Sequence, residues 1–172
     1  MEIREFNHTI VALRGELKAY AQKLTGNDCR AEDLVQEVML RMWEMRSKLD
    51  GYADKKALAL TILKNKCRDE WRHDSLTHGK KQVDEPTASA YNGIEAMDEA
   101  RLIGVIVDHL PPLQRQVFRM KEIGGYDSSE IIEITGCTPE SLRQNLSRAR
   151  RKIREDFIRL TAMRIPGAEG NE

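Results

Sequence analysis

Between residues 127 and 139 the chain spells a helix start, a helix stop and a second helix start, and that punctuation constrains the fold more than any other feature. Asp127-Ser128-Ser129-Glu130 offers an acceptor at a cap position with a Glu three residues on, and Tyr126 and Ile131 are placed to staple the entry. Gly136 suits the left-handed residue that ends a helix, Thr138 caps the next one and Pro139 brings a pre-set φ to its first turn. Two helices joined by so tight a turn are helix-turn-helix punctuation.

The helix that follows has two unlike faces. Leu142, Leu146, Ala149 and Ile153 share one side, while Glu140, Gln144, Ser147 and Arg151 lie opposite, flanked by Arg143 and Arg148. Arg bonds both major-groove acceptors of guanine and Gln or Asn the donor-acceptor pair of adenine, so Arg143, Gln144 and Asn145 have base-reading chemistry near the helix N-terminus. Arg150, Arg151, Lys152 and Arg154 suit phosphates.

The rest of the chain is also helical in period. Phe6, Ile10, Leu13, Leu17, Tyr20 and Leu24 recur at steps of four and three and predict one helix, closed by Gly26-Asn27-Asp28. A second, capped by Asn27 or Asp28, should run to about Leu49, with Val35, Val38, Met39, Met42, Met45 and Leu49 on one side and Asp33, Gln36, Glu37, Arg41 and Glu44 on the other. Leu40 interrupts that polar stripe. After a loop at residues 50–54, a third helix from Lys55 aligns Leu60, Leu63, Cys67 and Trp71. Periodicity lapses from His73 to Gly93. A fourth helix begins near Ile94 and stops at Leu110, where Pro111-Pro112 intervenes, and a fifth runs from Pro112 through about Ile123 to Gly124-Gly125. Trp43, Trp71 and the Met residues of the second helix read as packing residues.

The 28 basic and 28 acidic residues cancel, but they are not evenly spread. Gly51 to Lys81 holds eight basic and four acidic residues, Thr138 to Arg159 seven and three, and Gln82 to Ala100 five acids without a Lys or Arg. Affinity for phosphate follows such local patches, so the neutral sum does not exclude nucleic acid. The expected fold is all-α: two small helical domains at residues 1–75 and 94–165, joined by a flexible acidic linker at 76–93, the C-terminal domain a helix-turn-helix.

Other classes are set aside on chemistry. No stretch approaches the roughly 18 apolar residues of a membrane span and the N-terminus is too charged for a signal peptide, so the expected location is cytoplasmic. Cys29, Cys67 and Cys137 form no Cys-x-x-Cys pair and predict neither a disulfide framework nor a zinc knuckle. Glu5-x-x-His8 and Glu70-x-x-His73 have the spacing of di-iron ligands, yet they lie off the apolar sides of their helices and would not converge in a bundle. No nucleophile constellation or phosphate-cradling loop is present, so neither catalysis, a cofactor nor a metal is expected.

Three separated runs, Ala31-Glu32-Asp33-Leu34-Val35-Gln36-Glu37-Val38, Leu110-Pro111-Pro112-Leu113-Gln114-Arg115-Gln116-Val117-Phe118 and Asn145-Leu146-Ser147-Arg148-Ala149-Arg150, together resemble bacterial RNA polymerase sigma factors of the extracytoplasmic-function (ECF) type. The resemblance covers nearly the whole chain. It implies that Asp33, Gln36, Glu37, Leu40 and Arg41 dock on the β′ coiled coil of core RNA polymerase, which accounts for an apolar residue within a polar face. It implies promoter DNA as the second partner: at the −10 element, Asp50 to Lys56 (with Tyr52, Lys55 and Lys56) would form the loop that captures a flipped base, and Lys64, Asn65, Arg68 and Arg72 the contacting helix. At the −35 element, Arg143, Gln144, Ser147 and Arg148 would read DNA, with Arg151 also binding it, while the domain rests on the β flap. The acidic linker would thread polymerase channels, and an anti-sigma factor is a further partner, since family members are commonly silenced that way. One departure stands out: the family's aromatic-rich opening of the third helix is Leu58-Ala59-Leu60 here, and base stacking on aromatics is worth roughly 1–3 kcal/mol per base. The rival is a helix-turn-helix regulator that acts on duplex operators without polymerase.

Overall fold

The computed structural model describes residues 1–78 and 98–163 and divides the chain into two compact units, Met1–Lys80 and Lys81–Glu172. Among the described residues all regular structure is helical.

In the N-terminal unit the first expected helix is broken in two: α1 spans Ile3–Thr9, a 3₁₀ turn follows at Val11–Leu13, and α2 spans Arg14–Thr25. The break falls on Thr9-Ile10-Val11, three β-branched residues in succession, whose side chains crowd the preceding turn. The apolar period survives it, since Phe6, Ile10, Leu17, Ala21 and Leu24 are all buried. Gly26, at φ +69°, closes α2 in the left-handed region.

Asn27 caps α3 (Asp28–Glu44) by accepting from the Arg30 N–H at 3.0 Å. Ala31, Leu34, Val35, Val38 and Met42 point inward; the helix ends at Glu44 rather than near Leu49, and a 3₁₀ segment, Arg46–Gly51, then buries Leu49. Helix α4 (Lys55–His78) places Ala59, Leu63 and Cys67 in the core and runs further than the lapse in periodicity at His73 suggests. The reason is electrostatic as much as apolar. Arg30 of α3 reaches across to Glu70 at 2.8 Å and Asp74 at 2.9 Å, tying down the part of α4 whose apolar pattern fades. On the other side of α3, Lys18 of α2 bonds Asp28 and Glu32 at 3.2 Å each, and Arg14 also bonds Glu32. Residues 79–93 of the expected connector, and Ile94, lie outside the described residues.

In the C-terminal unit, Asp98 caps α5 (Glu99–Asp108) through the Arg101 N–H at 2.7 Å. Pro111 is the cap and Pro112 the first residue of α6 (Pro112–Phe118). The expected continuation to Ile123 is there, but it widens into a π-helical turn, Arg119–Ile123, whose Gly124 N–H bonds the Arg119 carbonyl five residues back at 2.9 Å. The wider turn lets the chain keep Met120 buried and fold back on itself, with the Tyr126 N–H on the Met120 carbonyl at 3.1 Å. A Cβ on Gly124 would overlap the Tyr126 ring, so this approach requires glycine.

Helix α7 (Ser128–Thr135) opens with the expected capping box, in which the Asp127 N–H donates to Glu130 at 3.0 Å, over a buried Tyr126 and Ile131. It closes at Gly136, φ +68°, and α8 (Pro139–Ala162) starts on Thr138, which accepts from the Ser141 N–H at 3.1 Å. Helix α8 is the spine of the unit and packs on α5, α6 and α7. Its apolar side buries Leu142, Leu146, Ala149 and Leu160, the last with Leu102, Ile106 and Phe157.

Candidate functional site

Three surfaces carry the residues that the sequence singles out. The first is the outer face of α3. Asp33, Gln36, Glu37, Leu40 and Arg41 are all exposed, because the buried stripe of α3 occupies the opposite side. Leu40 is an apolar side chain left 59% exposed. Glu37 bonds Lys66 of α4 at 2.8 Å, and this hydrogen bond holds the Lys66 ammonium above its ordinary pKa; Arg41 bonds Glu44 at 3.2 Å.

That face is one wall of an open groove of about 620 Å³ whose opposite wall is α4: Glu37, Leu40, Arg41 and Glu44 look across at Ile62, Asn65, Lys66 and Asp69. Asn65, expected among the DNA contacts, borders this groove. Ile62, Lys66 and Asp69 are not among the sequence-based site candidates; Lys66 and Asp69 entered only the charge balance of Gly51 to Lys81. Ile62 carried a signal, since like Leu40 it is an apolar residue outside its helix's core stripe.

The second surface is the loop before α4. Tyr52 is 42% exposed, and Ala53, Asp54, Lys55 and Lys56 line a smaller hollow of about 370 Å³ completed by Thr9 and Leu13 from the break between α1 and α2. Asp54 accepts from the Ala57 N–H at 2.8 Å and so begins α4. Lys56 is paired with Glu16 of α2. Further along α4, Lys64, Arg68 and Arg72 are half-buried, Arg68 within 3.7 Å of Asp69. Leu58 and Leu60 are half-buried and Ala59 is fully buried, so the Leu58-Ala59-Leu60 stretch contributes to packing.

The third surface is α8. Arg143, Gln144, Ser147, Arg148 and Arg151 are exposed together on the side away from the core. Gln144 donates to Glu140 at 3.3 Å, and Arg151 lies 3.8 Å from Glu155. Asn145 differs from its sequence-based reading: it is half-buried and its amide donates to the Ser141 carbonyl at 2.8 Å, within its own helix. All four phosphate candidates are exposed; Arg150 is paired with Glu122 of the π-helical turn, Lys152 with Asp156 at 3.1 Å and Arg151 with Glu155 within its own helix.

The remaining chemistry-bearing residues do not assemble. The Glu70 carboxylate is engaged by Arg30, while Glu5, His8 and His73 are exposed, so the two Glu-x-x-His pairs do not converge. Among the described residues, no group of three or more His, Cys, Asp and Glu side chains could hold a metal ion, and no helix is long and apolar enough to cross a membrane. Trp43 packs edge-on to Phe6 at 5.1 Å and carries Arg46 on its face at 4.5 Å, the packing role expected of it.

The family model described as sigma-70 region 2 matches residues 9–77, and that described as sigma-70 region 4 matches residues 100–153. The ECF RNA polymerase sigma factor SigJ of Mycobacterium tuberculosis is 30% identical over 163 residues, which cover 89% of this chain and 50% of SigJ. The ECF RNA polymerase sigma factor EcfG of Rhodopseudomonas palustris is 28% identical over 151 residues, 84% of this chain and 80% of EcfG. The chain thus spans half the length of one relative and four fifths of the other. A chain from the co-crystal structure of the sigma factor RpoE with the anti-sigma factor NepR, from Bartonella quintana, shares the fold: TM-score 0.52, 22% identity, covering 91% of this chain and 98% of that one.

Proposed function

Because the chain belongs to the ECF-type sigma factors of bacterial RNA polymerase, we propose that it is an alternative sigma factor that binds core RNA polymerase and directs it to a set of promoters. The observation that carries this reading is the coexistence of two separately cored units, one matching region 2 with an exposed polar face around Leu40, the other matching region 4 with an exposed basic helix.

On this proposal Asp33, Gln36, Glu37, Leu40 and Arg41 dock on the β′ coiled coil, Leu40 supplying the apolar anchor that such a contact places at its centre. Tyr52, Lys55, Lys56, Lys64, Asn65, Arg68 and Arg72 serve the −10 element. The hollow closed by Thr9 and Leu13 is the candidate seat for an unstacked base. Arg143, Gln144, Ser147, Arg148 and Arg151 serve the −35 element, with the N-terminal part of α8 against base edges, and the C-terminal unit rests on the β flap. The chain acts in the cytoplasm, where its polymerase is, and catalyses nothing itself; bond formation belongs to the polymerase. An anti-sigma factor would act by covering these surfaces, and the likeness in fold to a sigma factor crystallised with NepR supports looking for one.

The rival reading, a regulator working without polymerase, leaves the match to region 2 unexplained. The deciding experiment is transcription in vitro from genomic DNA by core polymerase with and without the chain, followed by mapping of transcript 5′ ends. New start sites sharing upstream elements are the expected result. Tight operator binding by the chain alone, with no association with polymerase, would sink the proposal.

A further inference from the structure

Arg143, Arg150 and Arg154 follow one another along α8 at steps of seven and four, which sets three guanidiniums on one flank of the helix beside its exposed face. Only the middle one has a carboxylate partner among the described residues. Glu122, on the π-helical turn, receives the Arg150 Nε–H at 3.1 Å, and a second Arg150 nitrogen donates to the same oxygen. The two residues are 28 apart in the chain, and they meet because the turn that carries Glu122 folds back beside α8.

Arg150 is 54% exposed and Glu122 36%, so the pair adds little to stability. It changes the charge offered to a partner. A carboxylate receiving two guanidinium donors imitates a DNA phosphate, which favours the same charge-assisted geometry. Phosphate contacts supply affinity without sequence information, whereas base contacts discriminate. A carboxylate that occupies one arginine of the flank therefore lowers generic affinity and leaves base reading intact.

We propose that Glu122 is a specificity-determining residue, an internal phosphate mimic that withholds Arg150 from the DNA backbone and so suppresses binding to non-cognate duplex. The proposal rests on the reading of α8 as the DNA-facing helix.

The test uses the full chain and a labelled duplex of about 30 base pairs of mixed sequence, with affinity followed by fluorescence anisotropy between about 50 and 200 mM salt. Releasing one phosphate-binding cation steepens the slope of log affinity against log salt by about 0.9, so Glu122→Gln should raise the ratio of affinities at the two salt concentrations about 3.5-fold. Glu122→Gln combined with Arg150→Ala should return to the slope of Arg150→Ala alone. A wild-type slope for Glu122→Gln overturns the proposal. So does a steepening that persists without Arg150, which would make it a general effect of net charge. Arg151→Ala separates the two levels: if it weakens duplex binding while Glu122→Gln has no effect, only the role of Glu122 falls. If Arg151→Ala has no effect, or duplex binding shows no salt dependence, the reading of α8 falls as well.

Discussion

At the scale of single residues, exposure and partner decide what each group is available to do. Arg143 and Arg151 are both exposed on α8, but Arg143 sits nearer the N-terminal turn, where a recognition helix meets base edges. Arg143→Ala should cost about 1–3 kcal/mol on the cognate −35 duplex and relax discrimination at one base position. Arg151→Ala should weaken all duplexes alike and flatten the salt dependence. Titration of each variant against a set of singly substituted duplexes distinguishes the two patterns. Cys67 offers a different check. Burial, with the Glu70 charge adding to it, pushes its thiol up to about 12 from an ordinary value near 9. The thiol is thus held neutral, and the stability this contributes is complete below about pH 9 and lost as pH rises through about 12. Alkylation followed by mass spectrometry at neutral pH should therefore modify the exposed Cys29 first and leave Cys67 untouched until the N-terminal unit unfolds.

At the scale of elements, turns set the helices and their faces set what each unit presents. Gly136 holds φ +68° with open space where a Cβ would project, so Gly136→Ala meets backbone strain alone. It should cost about 1–2 kcal/mol in the C-terminal unit, read by chemical denaturation, and impair DNA binding only so far as it populates the unfolded state. The α3 face makes the complementary case. Gln36→Ala together with Glu37→Ala removes exposed side chains from a helix whose core lies on its other side. The pair should reduce co-purification with core polymerase while leaving duplex affinity unchanged; equal loss of both would refute the division of roles between α3 and α8. These elements were readable from the sequence where the signal is short-range. The Asp127–Glu130 capping box, the Gly136 stop and the Thr138 cap all stand where their residue types predict, because each depends on neighbours within three or four positions. The break after Thr9 and the π-helical turn interrupt an apolar period that runs on unbroken and have no cap or stop residue to mark them, while the length of α4 is set by an arginine forty residues away.

At the scale of the whole molecule, two units each bury their own core. Both tryptophans, Trp43 and Trp71, belong to the N-terminal unit, so intrinsic fluorescence reports on that unit. Leu34 is fully buried there, and Leu34→Ala should lower the stability seen by tryptophan fluorescence by about 2–5 kcal/mol. Leu146→Ala, in the C-terminal core, should leave the fluorescence transition in place while lowering helical circular dichroism at a milder denaturant concentration. A single shared transition for both variants would show that the units do not fold separately.

By itself the sequence determined the all-α class, most of the buried stripes and the two exposed faces, because helical period and caps are written in residues one turn apart. Tertiary structure alone decided which charges remain available. Glu37 with Lys66, Glu122 with Arg150 and Arg30 with Glu70 join residues 28 to 40 positions apart. Such pairs, like the groove between α3 and α4, exist only once helices have packed, since an ion pair depends on distance in space and carries no period along the chain.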